Sequence, residues 1–272
     1  SAWAMLAAVA CLGVAANATL LTDSYTRTTI NDNYPTSIAG QSGSEAPIQY
    51  VAFGDSSASS GEAIVSDQLQ IYAGGTDTHG LRIDHNFNTS DITSAGGFRV
   101  SFDYDPQIGS NGLATRGLFL LVGATAADLS GTNEFANGDV PISLQFTDTD
   151  FDTRILSPNT DIDTYFYNNI NPSIPTSGIR SVEMEVSTTS FADGQTATYK
   201  VWIDGYEVTL LNNTFEWNNG GDNYLGFQAW DRPLSQSDGV IVDNLVISAI
   251  PEPATLILIG CGATLICSHR RR

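Results

Sequence analysis

The sequence Phe98-Arg99-Val100-Ser101-Phe102-Asp103-Tyr104 decides the fold, because apolar and polar side chains alternate along its whole length. In an extended chain successive side chains point to opposite faces of a sheet. This period of two therefore predicts a strand with one buried face. Similar alternation occurs at residues 69–71, 81–87, 142–146 and 182–186.

Further apolar runs of strand length have a more mixed pattern, and turn-forming clusters lie between the runs. The runs are residues 49–53, 118–122, 197–203, 224–230 and 240–250. Clusters rich in Gly, Ser and Asn lie between the runs and favour turns. About ten short strands, with no helical pattern and no internal repeat, predict an all-β fold: a two-sheet antiparallel sandwich of jelly-roll type. No linker interrupts residues 19–249, so we expect one domain there.

The second half of this body resembles a known family of sandwiches. The order of its strand-like segments over residues 180–249 is similar to that of concanavalin A-like, laminin-G-like domains. The best match is Val201-Trp202-Ile203-Asp204-Gly205, which resembles the "v-y-i-D-G" hairpin of that family. There an Asp-Gly pair can supply the positive φ angles of a tight turn. The resemblance implies a concanavalin A-like fold.

Charge and cysteine content limit the chemistry of the body. The chain has 30 acidic and 11 basic residues and a formal net charge of −19, and three of the basic residues are the last three of the chain. This balance argues against partners such as nucleic acid or anionic membrane surfaces, and it suits divalent cations. All three cysteines lie in the apolar segments at the two ends of the chain, so we expect no disulfide in the body.

Residues 1–18 have the pattern of a signal peptide. A charge-free apolar run extends from Ala2 to Val14, and Ala16-Asn17-Ala18 supplies the small residues that signal peptidase requires. We expect a short apolar helix here and export of the protein. The sequence starts at Ser1 without a basic segment, so we expect this signal to be truncated at its start.

Residues 250–272 combine three parts in order: Pro251-Glu252-Pro253, a charge-free run from Ala254 to Cys267, and the closing Arg270-Arg271-Arg272. As a helix, the run would reach roughly 21 Å, which is short for a hydrocarbon core of about 30 Å. Arginines behind an apolar run tend to stay in the cytoplasm. The pattern predicts a short apolar helix that anchors the body in a membrane, with the body outside.

These three parts resemble the PEP-CTERM sorting signal of exported bacterial proteins, in which Pro251, Glu252 and Pro253 match the tripeptide of the family and Arg270, Arg271 and Arg272 match the closing basic cluster. The resemblance implies an exosortase as a processing partner. It also implies at least transient anchoring in the inner membrane, followed by transfer to the cell surface or extracellular matrix.

Glu183 and Glu185 come closest to a catalytic pair. The apolar residues beside them occupy the core face, so both glutamates are expected on the opposite face. Glycosidases built on this sandwich carry three acids at alternate positions of one strand, whereas here serine stands at both neighbouring outward positions. We therefore expect solvated strand glutamates and assign no catalytic residue. A polysaccharide hydrolase or lyase is the alternative.

Calcium is the metal that this body would favour, because hard oxygen ligands are abundant. Asp243 shares strand parity with Ile241, Leu245 and Ile247, and a buried carboxylate needs a cation or several N–H donors. The jelly-roll carbohydrate-binding modules that the body resembles often hold a structural calcium between the last strand and the start of the first. Asp23 and Asp243 are therefore candidate ligands, and hydrogen bonding of Asp243 to backbone donors is the other expectation.

Sugar recognition requires aromatic platforms beside planar polar groups. The candidate ligand-binding residues are Trp202, Trp217, Tyr224 and Trp230, although aromatic residues of sandwiches are more commonly part of the core. Together the patterns predict an exported, non-catalytic β-sandwich at the cell surface or in the extracellular matrix, with adhesion or binding of an extracellular polysaccharide as its activity.

Overall fold

The structure is a computed structural model, which describes residues 18–32, 38–55, 57, 60–74, 77–105, 117–131, 140–146, 151–154, 166–168, 178–208, 213–230 and 239–250. Within these residues almost every element is a strand, and all pairings between named strands are antiparallel. The strands form two sheets. The all-β, two-sheet jelly-roll sandwich expected from the alternating pattern is confirmed.

The first sheet has ten strands, in the order β14-β13-β12-β7-β17-β1-β2, with β15 paired to β13 and the β4–β5 hairpin paired to β17. They are β1 (Thr19–Asp23), β2 (Gln41–Ser42), β4 (Gly61–Val65), β5 (Gln68–Tyr72), β7 (Gly97–Asp105), β12 (Arg180–Ser187), β13 (Thr196–Ile203), β14 (Tyr206–Glu207), β15 (Thr214–Glu216) and β17 (Val240–Ala249).

The second sheet has seven strands, in the order β11-β10-β9-β8-β16-β6-β3. They are β3 (Tyr50–Gly54), β6 (Thr78–Ile83), β8 (Leu118–Ala124), β9 (Ile142–Phe146), β10 (Phe151–Arg154), β11 (Phe166–Asn168) and β16 (Tyr224–Trp230).

Strand β7 is the predicted alternating stretch, extended by one residue at each end. Its apolar residues are buried, and each polar residue between them is partly exposed. Strand β12 shows the same alternation and pairs with β7 along its whole length, from Arg180 opposite Tyr104 to Ser187 opposite Gly97. On the other side β7 pairs with β17. The first sheet therefore presents one apolar face and one polar face, called here the inner and outer faces.

The main core fills the space between the inner faces of the two sheets. The ring of Phe102, on β7, meets the ring of Phe227, on β16 of the second sheet, edge to face with centroids 5.0 Å apart. Both side chains are almost completely buried. Edge-to-face packing of this kind adds about 1 kcal/mol to the free energy of burial. Because the contact spans both layers, it fixes one sheet against the other.

A smaller apolar layer covers the outer face of the second sheet. Phe119 and Leu121, on β8, are fully buried there against Phe53, Leu129 and Val140. Leu129 lies in the segment that follows β8. Hydrogen bonds from the Arg82 guanidinium to the carbonyl oxygens of Ala126 and Leu129 hold this segment on the sheet. In this region the second sheet is covered, and the polar outer face of the first sheet has no such layer among the described residues.

One short helix, α1 (Ser90–Ala95), was not expected from the sequence. At six residues it is too short to show a helical period, and it ends at Gly96, whose φ of 83° is the left-handed conformation common after helices. The apolar helices predicted at the two termini lie outside the described residues. Within the described residues no helix is long and apolar enough to cross a membrane.

The glycine pair at the start of β7 offers a test of this sheet. Gly97 has a φ of 144°, and a Cβ there would lie 2.0 Å from the carbonyl oxygen of Val186 on β12. Gly96 also has a positive φ, of 83°, but a Cβ there would meet nothing within 4 Å. Gly97→Ala should lower the free energy of unfolding by about 3 kcal/mol, and Gly96→Ala by about 1 kcal/mol, in urea denaturation. Equal losses would show that β7 and β12 do not meet in this register.

Candidate functional site

The register of the central strands brings four outward side chains together on the outer face of the first sheet. Glu185, on β12, is directly opposite Arg99, on β7. Glu183, two residues earlier on β12, is directly opposite Trp202, on β13. Opposed residues on one face have Cβ atoms about 5 Å apart, so the four side chains are neighbours. Trp202, Arg99, Glu183 and Glu185 are called here the Trp202 site.

Arg99 is the centre of the Trp202 site. One guanidinium nitrogen, Nη2, is 2.6 Å from Oε2 of Glu185, and Nη1 is 3.4 Å from Oε1 of Glu183. The guanidinium carbon lies 6.0 Å from the centroid of the Trp202 ring, at the outer limit for a cation–π contact. The arginine therefore extends across β12 and fixes both carboxylates beside the indole.

The orientation and ion pairing of Glu183 and Glu185 follow from this geometry. Both point away from the core as predicted, since Val182, Met184 and Val186 are fully buried. The two carboxylates form ion pairs with the same guanidinium, which neutralises part of their charge and restrains their position.

The other predicted ligand-binding aromatics lie elsewhere. Trp217 is fully buried, between Phe191 and Phe215, and its indole N–H donates to Thr188 Oγ1 at 3.0 Å. A buried ring with its N–H already bonded cannot stack on a sugar, so the prediction for Trp217 is wrong. It is a core residue.

Tyr224 and Trp230 are both on β16 in the second sheet. Tyr224 is half-buried against the small apolar layer, and the Arg82 guanidinium lies 5.3 Å from its ring centroid. The backbone of Trp230 pairs with Thr78 of β6, and its side chain lies outside the described residues. Among the predicted aromatics whose side chains are described, Trp202 is the one on the polar outer face of the first sheet.

Asp23, one of the two predicted calcium ligands, is buried in a network of protein donors. Arg27 binds it through two nitrogens, Nη1 to Oδ1 at 2.7 Å and Nη2 to Oδ2 at 2.8 Å. The backbone N–H of Tyr25, the hydroxyl of Tyr50 and the side-chain amide of Gln41 also donate to its two oxygens. These five hydrogen bonds supply the compensation that a buried carboxylate needs.

The two tyrosines of this network stay neutral. Burial raises the pKa of the Tyr25 phenol, and the nearby Asp23 carboxylate raises it further. Burial likewise raises the pKa of the Tyr50 phenol, followed by the effects of Tyr25 and Asp23. Tyr50 therefore stays protonated, and its hydroxyl donates a hydrogen bond to Oδ2 of Asp23 at 2.7 Å. The Arg27 guanidinium carbon lies 5.1 Å and 5.7 Å from the centroids of these two rings, so the whole cluster is held together around a single cation.

Asp243, the other predicted calcium ligand, is on the outer face and not in the core. The register between β17 and β7 shifts between Asp243, opposite Asp103, and Val246, opposite Ser101. Asn244, with a φ of 50°, is part of this β-bulge. The extra residue reverses the parity of the strand, so the parity argument that placed Asp243 with Leu245 and Ile247 is wrong. Asp243 is half-buried, accepts from the Asn244 N–H at 2.7 Å and accepts from Gln68 at 3.2 Å.

The described part of the chain shows no group of three or more His, Cys, Asp or Glu side chains that could hold a metal ion. Arg27 and its neighbours satisfy Asp23, and the β-bulge places Asp243 on the outer face. The structure therefore provides no calcium site from these two residues.

A partly buried hydrogen bond between His79 and Glu62 links the two sheets. The imidazole of His79, on β6, lies 2.5 Å from Oε2 of Glu62, on β4, and its other nitrogen lies 2.8 Å from the carbonyl oxygen of Asp55. Burial lowers the pKa of His79, but the hydrogen bonds to Glu62 and Asp55 outweigh it and the net direction is upward. Both imidazole nitrogens are used within the fold, so this pair has a structural role.

The predicted sorting residues lie outside the described residues, as do residues 1–17. They are Pro251, Glu252, Pro253, Arg270, Arg271 and Arg272.

Two residues that were not predicted from the sequence, Arg99 and Arg27, are central to the described part. Arg99 could have been found by aligning the outward positions of residues 98–104 and 180–187. No pattern in the sequence could have identified Arg27 in this way, because its pairing with Asp23 depends on the backbone turn after β1.

No protein-family model matches the chain, and no curated protein sequence matches it. Solved structures do. The potassium-bound carbohydrate recognition domain of Emp46p is similar over 73% of this chain and 88% of its own, with 10% identity and a TM-score of 0.48. The metal-free lectin I-B4 from Griffonia simplicifolia is similar over 73% and 92%, with 12% identity and a TM-score of 0.48.

A third similar structure is the binding domain of botulinum neurotoxin DC in complex with rat synaptotagmin II. It covers 90% of this chain and 51% of its own, with 11% identity and a TM-score of 0.47. At these identities the similarity concerns the arrangement of strands.

Removing Arg27 should show how much the Asp23 network contributes. Arg27→Met leaves a buried carboxylate without its counter-charge, so the free energy of unfolding should fall by about 3–5 kcal/mol. Arg99→Met breaks a partly exposed ion pair of the same kind and should lose less than about 1 kcal/mol. Urea denaturation measures both.

Added calcium should leave the melting temperature of the wild type unchanged, because the oxygens of Asp23 already accept from protein donors. A calcium-dependent rise that Asp23→Asn abolishes would contradict this assignment.

Proposed function

We propose that this chain is a carbohydrate-binding module that holds an extracellular polysaccharide on the outer face of its first sheet. The observation that carries the proposal is the Trp202 site: a half-buried indole on a polar face over which the described residues form no apolar layer, bordered by an arginine and two glutamates that pair with one another. Sugar rings stack their C–H faces on aromatic side chains, and planar polar groups beside the ring bind the hydroxyls.

The position of the site on three adjacent strands favours rigid binding. Its side chains come from β7, β12 and β13, whose registers run without a break through the site. Arg99 restrains both glutamates, so little side-chain freedom is lost when a ligand binds. The face of a sheet suits a chain of sugars that lies along the strands better than a small molecule, which would need an enclosed pocket.

The location of the module is part of the proposal. The apolar run near the start of the sequence and the Pro-Glu-Pro, apolar and arginine-rich order of residues 251–272 support export and anchoring at the cell surface, with an exosortase as the processing partner. The mass of the mature protein from its native host tests this. We expect a mass that lacks residues 1–18 and the segment after about residue 250. A mass that includes both segments would contradict export and processing.

Replacing Trp202 tests the binding site. Trp202→Ala should weaken binding to the best ligand of a polysaccharide panel by about tenfold or more in affinity electrophoresis, because the stacking platform is lost. Tyr206→Ala is a matched control. Tyr206 is 60% exposed on the neighbouring strand, but it pairs with Ile203 and so belongs to the opposite face. The Tyr206→Ala variant should bind the polysaccharide as tightly as the wild type does.

Three results would count against this account. Equal effects of the two substitutions would place the ligand elsewhere. No binding to any polysaccharide would contradict the proposed function. New sugar ends released by the wild type and lost in Glu183→Gln/Glu185→Gln would favour the hydrolase alternative.

A further inference from the structure

The surroundings of Trp202 carry information about the charge of its ligand. Trp202 has a directly opposed residue on each side of its strand: Glu183 on β12 and Glu207 on β14. Directly opposed side chains share one face of the sheet and lie about 5 Å apart at their Cβ atoms. The indole therefore stands between two carboxylates. Glu207 is exposed, and Glu183 retains 34% exposure of its side chain.

The nearby cations do not cancel this acidity. Arg99 is already shared between Glu183 and Glu185, and Lys200 is opposite Glu185. Among the described residues next to Trp202 on the outer face, two cations thus stand against the three glutamates 183, 185 and 207. Further along the same face Asp103 and Asp243 are directly opposite each other. An anionic sugar at Trp202 would face this excess of negative charge, and the −19 charge of the chain would add to the repulsion.

A protonated amine satisfies the same surroundings. A cation within about 6 Å of an indole ring is attracted by the π face of the ring. Carboxylates on either side can accept hydrogen bonds from the N–H groups of an ammonium ion. A sugar ring that carries an ammonium group offers both an apolar C–H face for stacking and a charge for the two glutamates. We infer that the Trp202 site takes polysaccharides with protonated amino sugars, and that it excludes those made of uronic acids. This inference rests on the proposed function and names its ligand class.

Three oligosaccharides of equal length separate the charge types: a glucosamine oligomer, its fully N-acetylated counterpart and an oligomer of uronic acids. Calorimetry on the whole protein at low salt should show the glucosamine oligomer binding about tenfold more tightly than the acetylated one, a ratio that opposite charges near an exposed site can supply. The uronic acid oligomer should not bind. The preference should shrink as salt rises, because exposed charges are screened beyond about 10 Å at 0.1 M ionic strength.

Two matched variants separate a local effect from the general attraction between an acidic protein and a cation. Glu207→Gln removes one negative charge beside Trp202 without touching the Arg99 pairs, and it should weaken glucosamine-oligomer binding about threefold to fivefold. Binding of the acetylated oligomer should not change. Asp67→Asn removes the same charge from the exposed β4–β5 turn, at the far side of the sheet, where asparagine tolerates the φ of 61°. It should leave both affinities unchanged.

The outcomes distinguish this inference from the proposed function. Equal weakening by Glu207→Gln and Asp67→Asn would overturn the inference, because the attraction would then be general. Tighter binding of the acetylated or uronic acid oligomer, lost in Trp202→Ala, would also overturn it while leaving the carbohydrate-binding site in place. If no oligomer binds and no polysaccharide of the panel binds, both the inference and the proposed function are contradicted.

Discussion

The register of β7 between β12 and β17 is the constraint on which the rest of the structure depends. With Arg99 opposite Glu185 and Phe98 opposite Val186, every apolar residue of β7 faces the second sheet and every polar residue faces outward. Because side chains alternate with a period of two, a slip of one residue would expose the core and bury the charges. The same register places Arg99 across β12 from Trp202. The core and the proposed binding site are therefore two faces of one strand arrangement.

Much of the sandwich could be predicted from the sequence because alternation is a local signal. The runs at 98–104 and 182–186 contain their own evidence for one buried face, and each corresponds to a strand in the first sheet. The Asp204-Gly205 turn was also predictable. Its residues have φ angles of 50° and 79°, as a tight hairpin between β13 and β14 requires. The outward orientation of Glu183 and Glu185 followed from the same alternation.

The candidate metal and ligand residues were harder to predict, since their environments depend on contacts between distant elements. One extra residue at Asn244 reverses the parity of β17 and moves Asp243 to the outer face, and nothing in the apolar pattern marks that β-bulge. Asp23 is compensated by Arg27, which the turn after β1 brings back onto it. Trp202 and Trp217 are both tryptophans in strand-rich sequence. Whether such a residue is in the core or on a face depends on how the sheets pack.

The central claim is that the ligand lies on the outer face of the first sheet, against Trp202, and the indole N–H resonances of Trp202, Trp217 and Trp230 test it most directly. Each resonance can be assigned by replacing one tryptophan with phenylalanine. During titration with a glucosamine oligomer in solution NMR, we expect the Trp202 resonance to shift and to saturate, while the resonance of the buried Trp217 stays in place. A saturable shift at Trp230 with Trp202 unmoved would place the ligand on the second sheet and contradict the account.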